Sequence, residues 1–441
     1  MDSYPAPTER DALALDASDT EGSLREEFLL PPYGDGQIAY FAGNSLGLQP
    51  AALAERLGEE LADWAQLGVE GHLEARRPWV SYHELLREPA ARLVGARPHE
   101  VVMMNSLTVN LHLLMASFYR PEGDRTRIVI EDTTFPSDSY AVRSQAAWHG
   151  LDPDKTVVRL KPRAGEDTLR SEDVAAFLEE EGSTVALVLL GAVNYYSGEH
   201  LDLELITRAG HAAGAIVAFD LAHAAGNVEL KLHEWGVDWA AWCTYKYVNS
   251  APGAVAGAYV HERHLQDRSI PRLEGWWSTD PSVRFQMAPE VTPQATADAW
   301  SMSNPPILAM APVLLSLEIF DRVGMATLRR RSQRLTGYLE SLLDTLGTSH
   351  FEVITPRDPA RRGCQLSVRS HGIDVGELAE TLRRDFGVIA DARQPDVIRL
   401  APVPLYSTYH DCWRAYDALR RIQDRKSTRL NSSHVSESRM P

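Results

Sequence analysis

Two short segments carry side chains that could act together on a cofactor. Asp220 follows the apolar strand-like run AIVAF, and Lys246 lies 26 residues later in WAAWCTYKY, the next run predicted to be a strand. A buried carboxylate can keep the pyridine nitrogen of pyridoxal phosphate protonated, and a lysine amine can form a Schiff base with that cofactor. An aspartate at a strand end can also be a simple cap, and a lysine a solvated surface charge. The pair indicates cofactor binding only in combination with other groups.

Two further segments could hold a phosphate group and a flat ring. Asn105-Ser106-Leu107-Thr108 follows the run VVMM and opens an apolar helix, where backbone N–H groups and a hydroxyl suit a phosphate dianion. Phe135-Pro136-Ser137-Asp138 follows the run RIVIED, so Phe135 could stack on a ring and Asp138 could hydrogen-bond around it. A plain helix cap and a core phenylalanine are the alternatives.

The elements that must position these groups alternate along the chain. Helical stretches of about 10 to 15 residues separate most of the β-rich runs, a pattern that predicts a mainly parallel sheet covered on both faces. Ligands of such sheets bind at the carboxyl ends of the strands. The predicted strands are Val101–Met104, Arg127–Glu131, Thr156–Leu160, Thr184–Leu190 and Ala215–Phe219, and the helices between them include Thr108–Phe118, Ser171–Glu181 and Glu204–Ala213.

The alternation fades after about residue 265, and the texture predicts four regions. Residues 1–40 form an N-terminal arm, 41–309 a large cofactor-binding domain and 310–423 a smaller α+β C-terminal domain. The small domain contains the strand-like runs FEVITP, GCQLSVR, DFGVIADAR and DVIRLAPV and a helix near Val375–Asp385. Residues 424–441 lack an apolar period, and DRKSTRLNSSH resembles a translated sequencing adapter, so we interpret them as a non-native or disordered tail.

Composition excludes several classes of function. Among 441 residues, 44 Lys and Arg stand against 61 Asp and Glu, so a net charge of −17 argues against binding nucleic acid or anionic lipid. The longest apolar stretch, Pro305–Leu317, is too short to span a membrane, and the start shows no signal peptide. Three dispersed cysteines predict neither a disulfide framework nor a metal site and fit a cytoplasmic protein.

Taken together, these blocks resemble kynureninase, a pyridoxal-phosphate enzyme. The matching segments are YFAGNSLGLQP, GHLEARRPW, NSLTVNLHLLM, FPSD, FDLAHAAGNVELKLHEWGVDWAAWCTYKY, GAVAGAYVHERH, GWW, SNPPIL and IRLAPVPLY. The resemblance implies the fold type I architecture of aspartate-aminotransferase-like transferases. It also implies hydrolysis of L-kynurenine or 3-hydroxy-L-kynurenine to an anthranilate and L-alanine, a reaction of tryptophan catabolism and of NAD biosynthesis.

The resemblance also assigns roles to residues. Lys246 is the Schiff-base lysine, Asp220 the partner of the pyridine nitrogen, and Tyr245 a helper in proton transfer. Arg399 of IRLAP binds the substrate α-carboxylate through a bidentate pair. The remaining cofactor contacts are Leu107, Thr108, Phe135, Pro136, Ser137, Asp138, His223 and Tyr245, joined by Trp276 and Asn304 from the second subunit of a homodimer.

One departure from the family pattern and one match to it bear on how this chain binds its cofactor and substrate. Where the family usually has Ser or Thr before its VNY-like segment, this chain has Gly191, so a hydroxyl contact to the cofactor is lost or is replaced by backbone or water. His72, Ser303 and Asn304 match the pattern of family members that favour 3-hydroxykynurenine, since a buried ring hydroxyl needs a polar partner. Local backbone capping by His72 and a chain turn at Ser303 are the alternatives.

The sequence leaves three other classes of function open. Another fold type I enzyme, such as a cysteine desulfurase or a transaminase, is the nearest alternative, although a desulfurase needs a reactive cysteine on a mobile loop. A catalytically silent binding protein is disfavoured because Lys246, Asp220 and Arg399 are all present. A nicotinamide dehydrogenase is disfavoured because no GxGxxG follows a strand.

Overall fold

The computed structural model describes the backbone of residues 8–437 and the side chains of residues 8–425. Its helices are α1 (Glu9–Ser18), α2 (Leu53–Leu67), α3 (Gly71–Glu74), α4 (Arg87–Val94), α5 (Leu107–Phe118), α6 (Pro136–Trp148), α7 (Pro153–Thr156), α8 (Ser171–Glu181), α9 (Leu203–Ala212), α10 (Leu232–Trp235), α11 (Glu262–Leu265), α12 (Pro281–Arg284), α13 (Ile307–Val323), α14 (Met325–Asp344), α15 (Val375–Phe386) and α16 (Tyr409–Glu437).

The strands form one large sheet, one smaller sheet and three short two-stranded pairs. They are β1 (Phe28–Leu29), β2 (Pro32–Tyr33), β3 (Gly36–Gln37), β4 (Ala39–Tyr40), β5 (Gln49–Pro50), β6 (Val101–Met103), β7 (Arg127–Glu131), β8 (Val157–Leu160), β9 (Val185–Gly191), β10 (Ile216–Asp220), β11 (Trp239–Trp242), β12 (Gly257–Val260), β13 (Phe351–Val353), β14 (Leu366–Ser370), β15 (Val388–Ile389), β16 (Asp391–Arg393) and β17 (Val397–Leu400).

The large sheet has seven strands in the order β6-β12-β11-β10-β9-β7-β8. All neighbours in it run parallel except β12, which is antiparallel to both β11 and β6. Alternate residues of each strand enter two separate cores: Val101 and Met103 pack on one face, whereas Val102 packs on the other. Burial of both faces explains why these strands read as continuous apolar runs.

The small domain is built on a four-stranded antiparallel sheet in the order β13-β14-β17-β16. Its core includes Leu339 of α14, Leu382 of α15 and Leu419 of α16. The N-terminal arm adds Ala12 of α1 to this core, and β4 pairs in parallel with β15. The predicted class, a mainly parallel large domain with a smaller α+β domain, is confirmed.

Two details of the predicted elements are wrong. The run WAAWCTYKY is a strand only to Trp242, after which the backbone bends, because Thr244 donates to the carbonyl of Val255 at 2.7 Å and Gly47 N–H donates to that of Tyr245 at 2.7 Å. The run DFGVIADAR is not one strand but is divided between β15, paired with the arm, and β16 in the small sheet.

The regional boundaries remain predictions, to which the structure adds two facts. Residue 310 lies within α13, whose Met310, Val313 and Leu317 pack in a core of the large sheet. The last helix continues to Glu437, and residues 438–441 of the predicted tail lie outside the described residues. Among the described helices, we find none with the length and apolar character needed to cross a lipid bilayer.

Candidate active site

A cavity of about 350 Å³ lies at the carboxyl ends of the large-sheet strands and reaches the small domain. It collects most of the predicted site residues on one concave surface. The lining residues are Asn44, Ser45, Ser106, Leu107, Thr108, Glu131, Thr134, Phe135, Ser137, Asp138, Gly191, Val193, Tyr195, Asp220, Ala222, His223, Tyr245, Lys246, Arg393 and Arg399.

Asp220 is the last residue of β10, and its carboxylate is fixed at the cavity floor. Its Oδ1 accepts from the N–H of Ala222 at 2.6 Å, and its side chain is hydrogen-bonded to Asp138. Burial and the neighbouring Asp220 charge raise the pKa of Asp138 well above its usual value. Asp138 therefore keeps the shared proton and donates to Asp220, which retains the negative charge.

Lys246 projects from the bend after β11 toward His223, with Nζ 3.0 Å from Nε2. Burial and the Lys246 charge lower the pKa of His223 well below its usual value, so the imidazole is neutral and Nε2 can accept from the amine. The bend is held by close backbone packing: a Cβ on Gly47 would lie 2.4 Å from the carbonyl oxygen of Lys246. Only glycine fits there, which gives the GNSLGL motif a role in shaping the lysine turn.

The start of α5 lies at one end of the cavity, where its free backbone N–H groups could hold an anion. Ser106 precedes the helix without capping it through its side chain, so the first backbone N–H groups face the cavity without that acceptor. Thr108 Oγ1 lies 2.9 Å from Ser137 Oγ, which joins the beginnings of α5 and α6. Asn105 makes the turn into α5 with a φ of 50°, a left-handed conformation that asparagine tolerates.

Phe135 supplies an aromatic face near the amine. Its ring is 42% exposed, and the ring centroid is 5.7 Å from Lys246 Nζ. The Tyr195 ring meets it edge to face, with centroids 5.2 Å apart. A flat ring could therefore stack on Phe135 with its substituents between Lys246 and Asp220.

Arg399 lies on β17 and brings a buried positive charge from the small domain. Its Nη1 donates to the carbonyl of Tyr195 at 2.7 Å, and its Nη2 is paired with Asp391. Arg393 also lines the cavity and shares Asp391, at 3.0 Å. Burial lowers the pKa of Arg399 whereas the Asp391 charge raises it, and the two guanidinium groups around one carboxylate leave this wall positively charged.

Glu131, the last residue of β7, is a buried carboxyl group in the cavity wall that sequence reasoning missed. Burial raises its pKa to about 7, and Asn194 Nδ2 donates to its Oε2 at 2.9 Å. A Cβ at Gly191 would lie 3.0 Å from Glu131 Oε1. The absence of a side chain at Gly191 thus leaves room for the Glu131 carboxyl group.

Five predicted site residues do not line this cavity. Pro136 is the first residue of α6, behind Phe135. His72 is exposed and meets Trp79 edge to face, with centroids 5.4 Å apart. The others lie on the surface of the same chain: Trp276, 39% exposed, and the exposed Ser303 and Asn304.

Besides Glu131, sequence reasoning missed Asn44, Tyr195 and Arg393. Asn44 and Ser45 belong to the GNSLGL motif, whose sequence alone indicates no role. Tyr195 is the last residue of the VNY segment that follows Gly191, and Arg393 lies six residues before Arg399 on the neighbouring strand. The sequence segments that contain these three residues are recognisable, but only the folded chain shows that the residues face the cavity.

Among the described residues, one group has metal-ligand chemistry: Glu100, His233 and His261. The Glu100 carboxylate already accepts from His233 Nδ1 at 2.9 Å and from the N–H groups of Glu262 and Arg97, each at 2.8 Å. His261 Nδ1 accepts from the N–H of Arg263 at 3.2 Å. These are capping hydrogen bonds, and they account for the cluster without an ion.

Comparison with known proteins gives close relatives. The family model "Kynureninase C-terminal domain" matches residues 328–419. A kynureninase of Salinispora tropica is 64% identical over 415 residues, covering 93% of this chain and 96% of that protein. A kynureninase of Koribacter versatilis is 53% identical over 409 residues, covering 92% and 96%, and one of Myxococcus xanthus is 53% identical over 404 residues, covering 91% and 94%.

More distant solved structures share the fold. A cystine C-S lyase in complex with cysteine persulfide superimposes with a TM-score of 0.75 at 18% identity, covering 87% of this chain and 97% of the other. A cysteine desulfurase from Thermococcus onnurineus NA1 gives a TM-score of 0.71 at 16% identity, covering 87% and 94%. At such identities the likeness establishes the architecture alone.

Proposed function

Because the chain belongs to the kynureninase family, we propose that the cavity around Lys246 is the site where L-kynurenine is hydrolysed to anthranilate and L-alanine. The chain is an enzyme with kynureninase activity, and its cofactor is pyridoxal 5′-phosphate. The observation that carries the choice of site is the position of Lys246 Nζ, 3.0 Å from His223 Nε2 in a cavity that Asp220 and Arg399 also line.

The cavity suits the cofactor group by group. The open start of α5, with Thr108 and Ser137, would hold the phosphate. The exposed face of Phe135 would stack on the ring, and the Asp220 carboxylate would accept from the protonated ring nitrogen. Lys246 would hold the cofactor covalently. When bound, pyridoxal phosphate supplies an electron sink for negative charge formed at the substrate Cα.

In the proposed mechanism Lys246 moves the proton. With its amine free of the cofactor, Lys246 Nζ would remove the Cα proton of the substrate and return a proton later. The neutral imidazole of His223 accepts a hydrogen bond from Nζ and keeps the amine aimed into the cavity. Burial, and to a smaller extent the neighbouring Cys243, raise the pKa of Tyr245. The Tyr245 phenol therefore stays protonated and can donate a hydrogen bond to the substrate carbonyl that water attacks.

Arg399 orients the substrate. We assign the substrate α-carboxylate to its guanidinium. The Tyr195 carbonyl and the Asp391 carboxylate fix the orientation of that group before the substrate arrives. With the carboxylate fixed there and the amine near Lys246, the aryl ketone is left in the rest of the cavity. Hydrolysis adds one water across the Cβ–Cγ bond, so that the aryl acid leaves with the hydroxyl and alanine gains the proton.

The chemistry of the cysteines disfavours a desulfurase. All three, Cys243, Cys364 and Cys412, are free and buried. Burial raises the pKa of Cys364 to about 12 and raises those of Cys243 and Cys412 as well, so each stays a protonated thiol at neutral pH. The test offers the loaded protein L-kynurenine and L-cysteine separately: we expect anthranilate from the first, whereas sulfide from the second without anthranilate would contradict the proposal.

We propose that the chain works as a homodimer in which each copy completes the other's site. The supporting observation is a surface that carries the predicted residues absent from the cavity. Trp79 and Pro306 line one apolar groove together with Trp64, which is 59% exposed. His72 contacts Trp79, and Asn304 lies two residues before Pro306. A second copy covering this groove would bring Trp276, His72, Ser303 and Asn304 to the edge of its partner's cavity.

Mixed dimers test this arrangement. Lys246→Ala protein and Trp276→Ala/Asn304→Ala protein would each be impaired alone, but a mixed dimer would contain one site with Lys246 from one copy and both surface residues from the other. We expect partial recovery of activity on mixing after reversible dissociation. No recovery, or a monomeric active protein by light scattering, would contradict the shared site.

We further propose that the site prefers 3-hydroxykynurenine, with His72 and the Ser303-Asn304 pair as partners of the ring hydroxyl. A site built to bind a hydroxyl disfavours an analogue lacking it, because its own polar groups remain unpaired. The kcat/KM for 3-hydroxykynurenine divided by that for kynurenine should fall in His72→Trp/Asn304→Thr. A wild-type preference for plain kynurenine, or an unchanged ratio, would remove these residues from the account.

We propose a cytoplasmic location and a role in tryptophan catabolism. The three free, buried cysteines support a reducing compartment. Fractionation of cells, with the protein detected by antibody and by kynurenine hydrolysis, tests the location.

A further inference from the structure

The turn Asn194–Gly198 of the large domain contacts the small domain beside the cavity. Three successive carbonyls of this turn accept hydrogen bonds from the small domain. Ser367 Oγ donates to the carbonyl of Tyr196 at 2.5 Å, and Thr355 Oγ1 donates to that of Ser197 at 2.6 Å. The third, on Tyr195, receives Arg399 Nη1 at 2.7 Å and Gln365 Nε2 at 3.1 Å. The turn therefore presents one of its carbonyls directly to the substrate-binding arginine.

The shape of this turn is set by the Asn194 side chain. Its Oδ1 accepts from the N–H groups of Tyr196 and Ser197, both at 2.9 Å, and from Ser197 Oγ at 3.2 Å. An asparagine oxygen that accepts from the backbone two residues on stabilises a turn and fixes the carbonyls within it. The position of the Tyr195 carbonyl thus depends on the rotamer of Asn194.

That rotamer is fixed in turn by the large domain. Asn194 Nδ2 donates to Glu131 Oε2 at 2.9 Å and to Thr133 Oγ1 at 3.1 Å. Glu131 and Asn194 are only 4% and 3% exposed, so water does not compete for these bonds. The contacts form one path from β7 to β17: Glu131, Asn194, the Tyr195 carbonyl and Arg399.

We propose that Glu131 and Asn194 are positioning residues that hold Arg399 in the geometry needed to bind the substrate α-carboxylate. Glu131 acts here as a hydrogen-bond acceptor and not as an acid or base on the substrate. This inference rests on the proposed function, because it needs Arg399 to bind the substrate carboxylate. It predicts that loss of the acceptor weakens carboxylate binding and leaves the cofactor site intact.

Glu131→Leu removes the acceptor, and Glu131→Gln keeps an oxygen that can accept from Asn194. We expect KM for kynurenine to rise about 2- to 30-fold in Glu131→Leu, the range for mutations that act through a contact path. We expect kcat and cofactor absorbance to change little and Glu131→Gln to restore KM to within about twofold. Glu199→Gln is the matched control, because Glu199 is a buried carboxyl directly after the same turn, but its side chain pairs with Arg361 and not with Asn194.

Binding of two small probes separates positioning from general damage. L-alanine carries the α-carboxylate and ethylamine lacks it, and both can be titrated against the cofactor absorbance of the holoenzyme. We expect Glu131→Leu to weaken the binding of L-alanine and to leave the binding of ethylamine unchanged. Equal weakening of both probes, or failure of Glu131→Gln to restore L-alanine binding, would overturn the proposal.

A second variant covers the case in which Glu131→Leu does not fold. Asn194→Ala removes both the donor to Glu131 and the acceptor of the turn N–H groups, and we expect the same selective loss of L-alanine binding. Wild-type protein without kynurenine hydrolysis would refute the proposed function. Active wild-type protein with unchanged L-alanine binding in both variants would refute this inference alone.

Discussion

Replacing Arg399 by leucine should weaken the substrate and spare the cofactor. Arg399 is fully buried, and its loss removes a charge-assisted partner of the α-carboxylate, which costs about 1.5–3 kcal/mol. Since about 1.4 kcal/mol corresponds to a factor of ten, kcat/KM should fall about 10- to 150-fold. The groups left behind keep a second partner each, because Asp391 retains Arg393 at 3.0 Å and the Tyr195 carbonyl retains Gln365 at 3.1 Å.

The assay is steady-state release of anthranilate, with cofactor absorbance and melting temperature recorded for each protein. Arg362→Leu is the matched control: Arg362 is equally buried in the small domain, and its partner Glu340 retains Arg357 at 2.9 Å. A kcat/KM in Arg399→Leu within twofold of wild type would refute the assignment. So would an equal loss in Arg362→Leu, because the effect would then reflect a damaged domain.

Three further predictions concern the cofactor, the pH dependence of stability and the chain end. Asp220→Asn should keep covalently bound cofactor but lose most of kcat, since the ring nitrogen loses its carboxylate; an unchanged kcat would contradict the role. In the apoprotein, burial raises the pKa of Glu131 from 4.5 to about 7. The protonated group therefore contributes to the free energy of unfolding at low pH, and this contribution, up to about 3 kcal/mol, is lost as the pH rises from 4.5 to 7. Urea unfolding between pH 4.5 and 7.5 should show this decline in wild type and a smaller decline in Glu131→Gln, and equal slopes would contradict it. Truncation after Gln423 should change the free energy of unfolding by less than about 1 kcal/mol, since it removes an exposed pair between Asp424 and Arg420 and the approach of Arg425 to the Phe386 ring; a lower cofactor content would contradict it.

The parts of the site that the sequence could predict are those fixed by local rules. Asp220 ends a strand and Leu107 begins a helix, as the apolar runs indicate. In a mainly parallel sheet the carboxyl ends lie along one edge, so the segments after β6, β7 and β10 had to meet there. Periodicity and element order were sufficient for this much of the geometry.

The remainder depends on contacts between residues that are distant in sequence. The Tyr195 carbonyl meets Arg399 across 204 residues, and the role of Glu131 appears only when Asn194 packs against it. The sequence predicts a strand that continues to Lys246, because nothing near Lys246 in the sequence reveals that Gly47 packs closely against the backbone there. Pattern reasoning also cannot place Trp276, whose proposed role needs a second copy of the chain.

The central claim is that Lys246 holds the cofactor and carries out the hydrolysis of kynurenine. The direct test loads wild-type and Lys246→Ala proteins with pyridoxal phosphate and records cofactor absorbance and anthranilate release on the same samples, with Lys231→Ala as a surface-lysine control. We predict that wild type and the control show the absorbance of lysine-bound cofactor, bleached by borohydride, and release anthranilate with L-alanine. Lys246→Ala should show neither property. Anthranilate release by Lys246→Ala close to the wild-type rate would contradict the account.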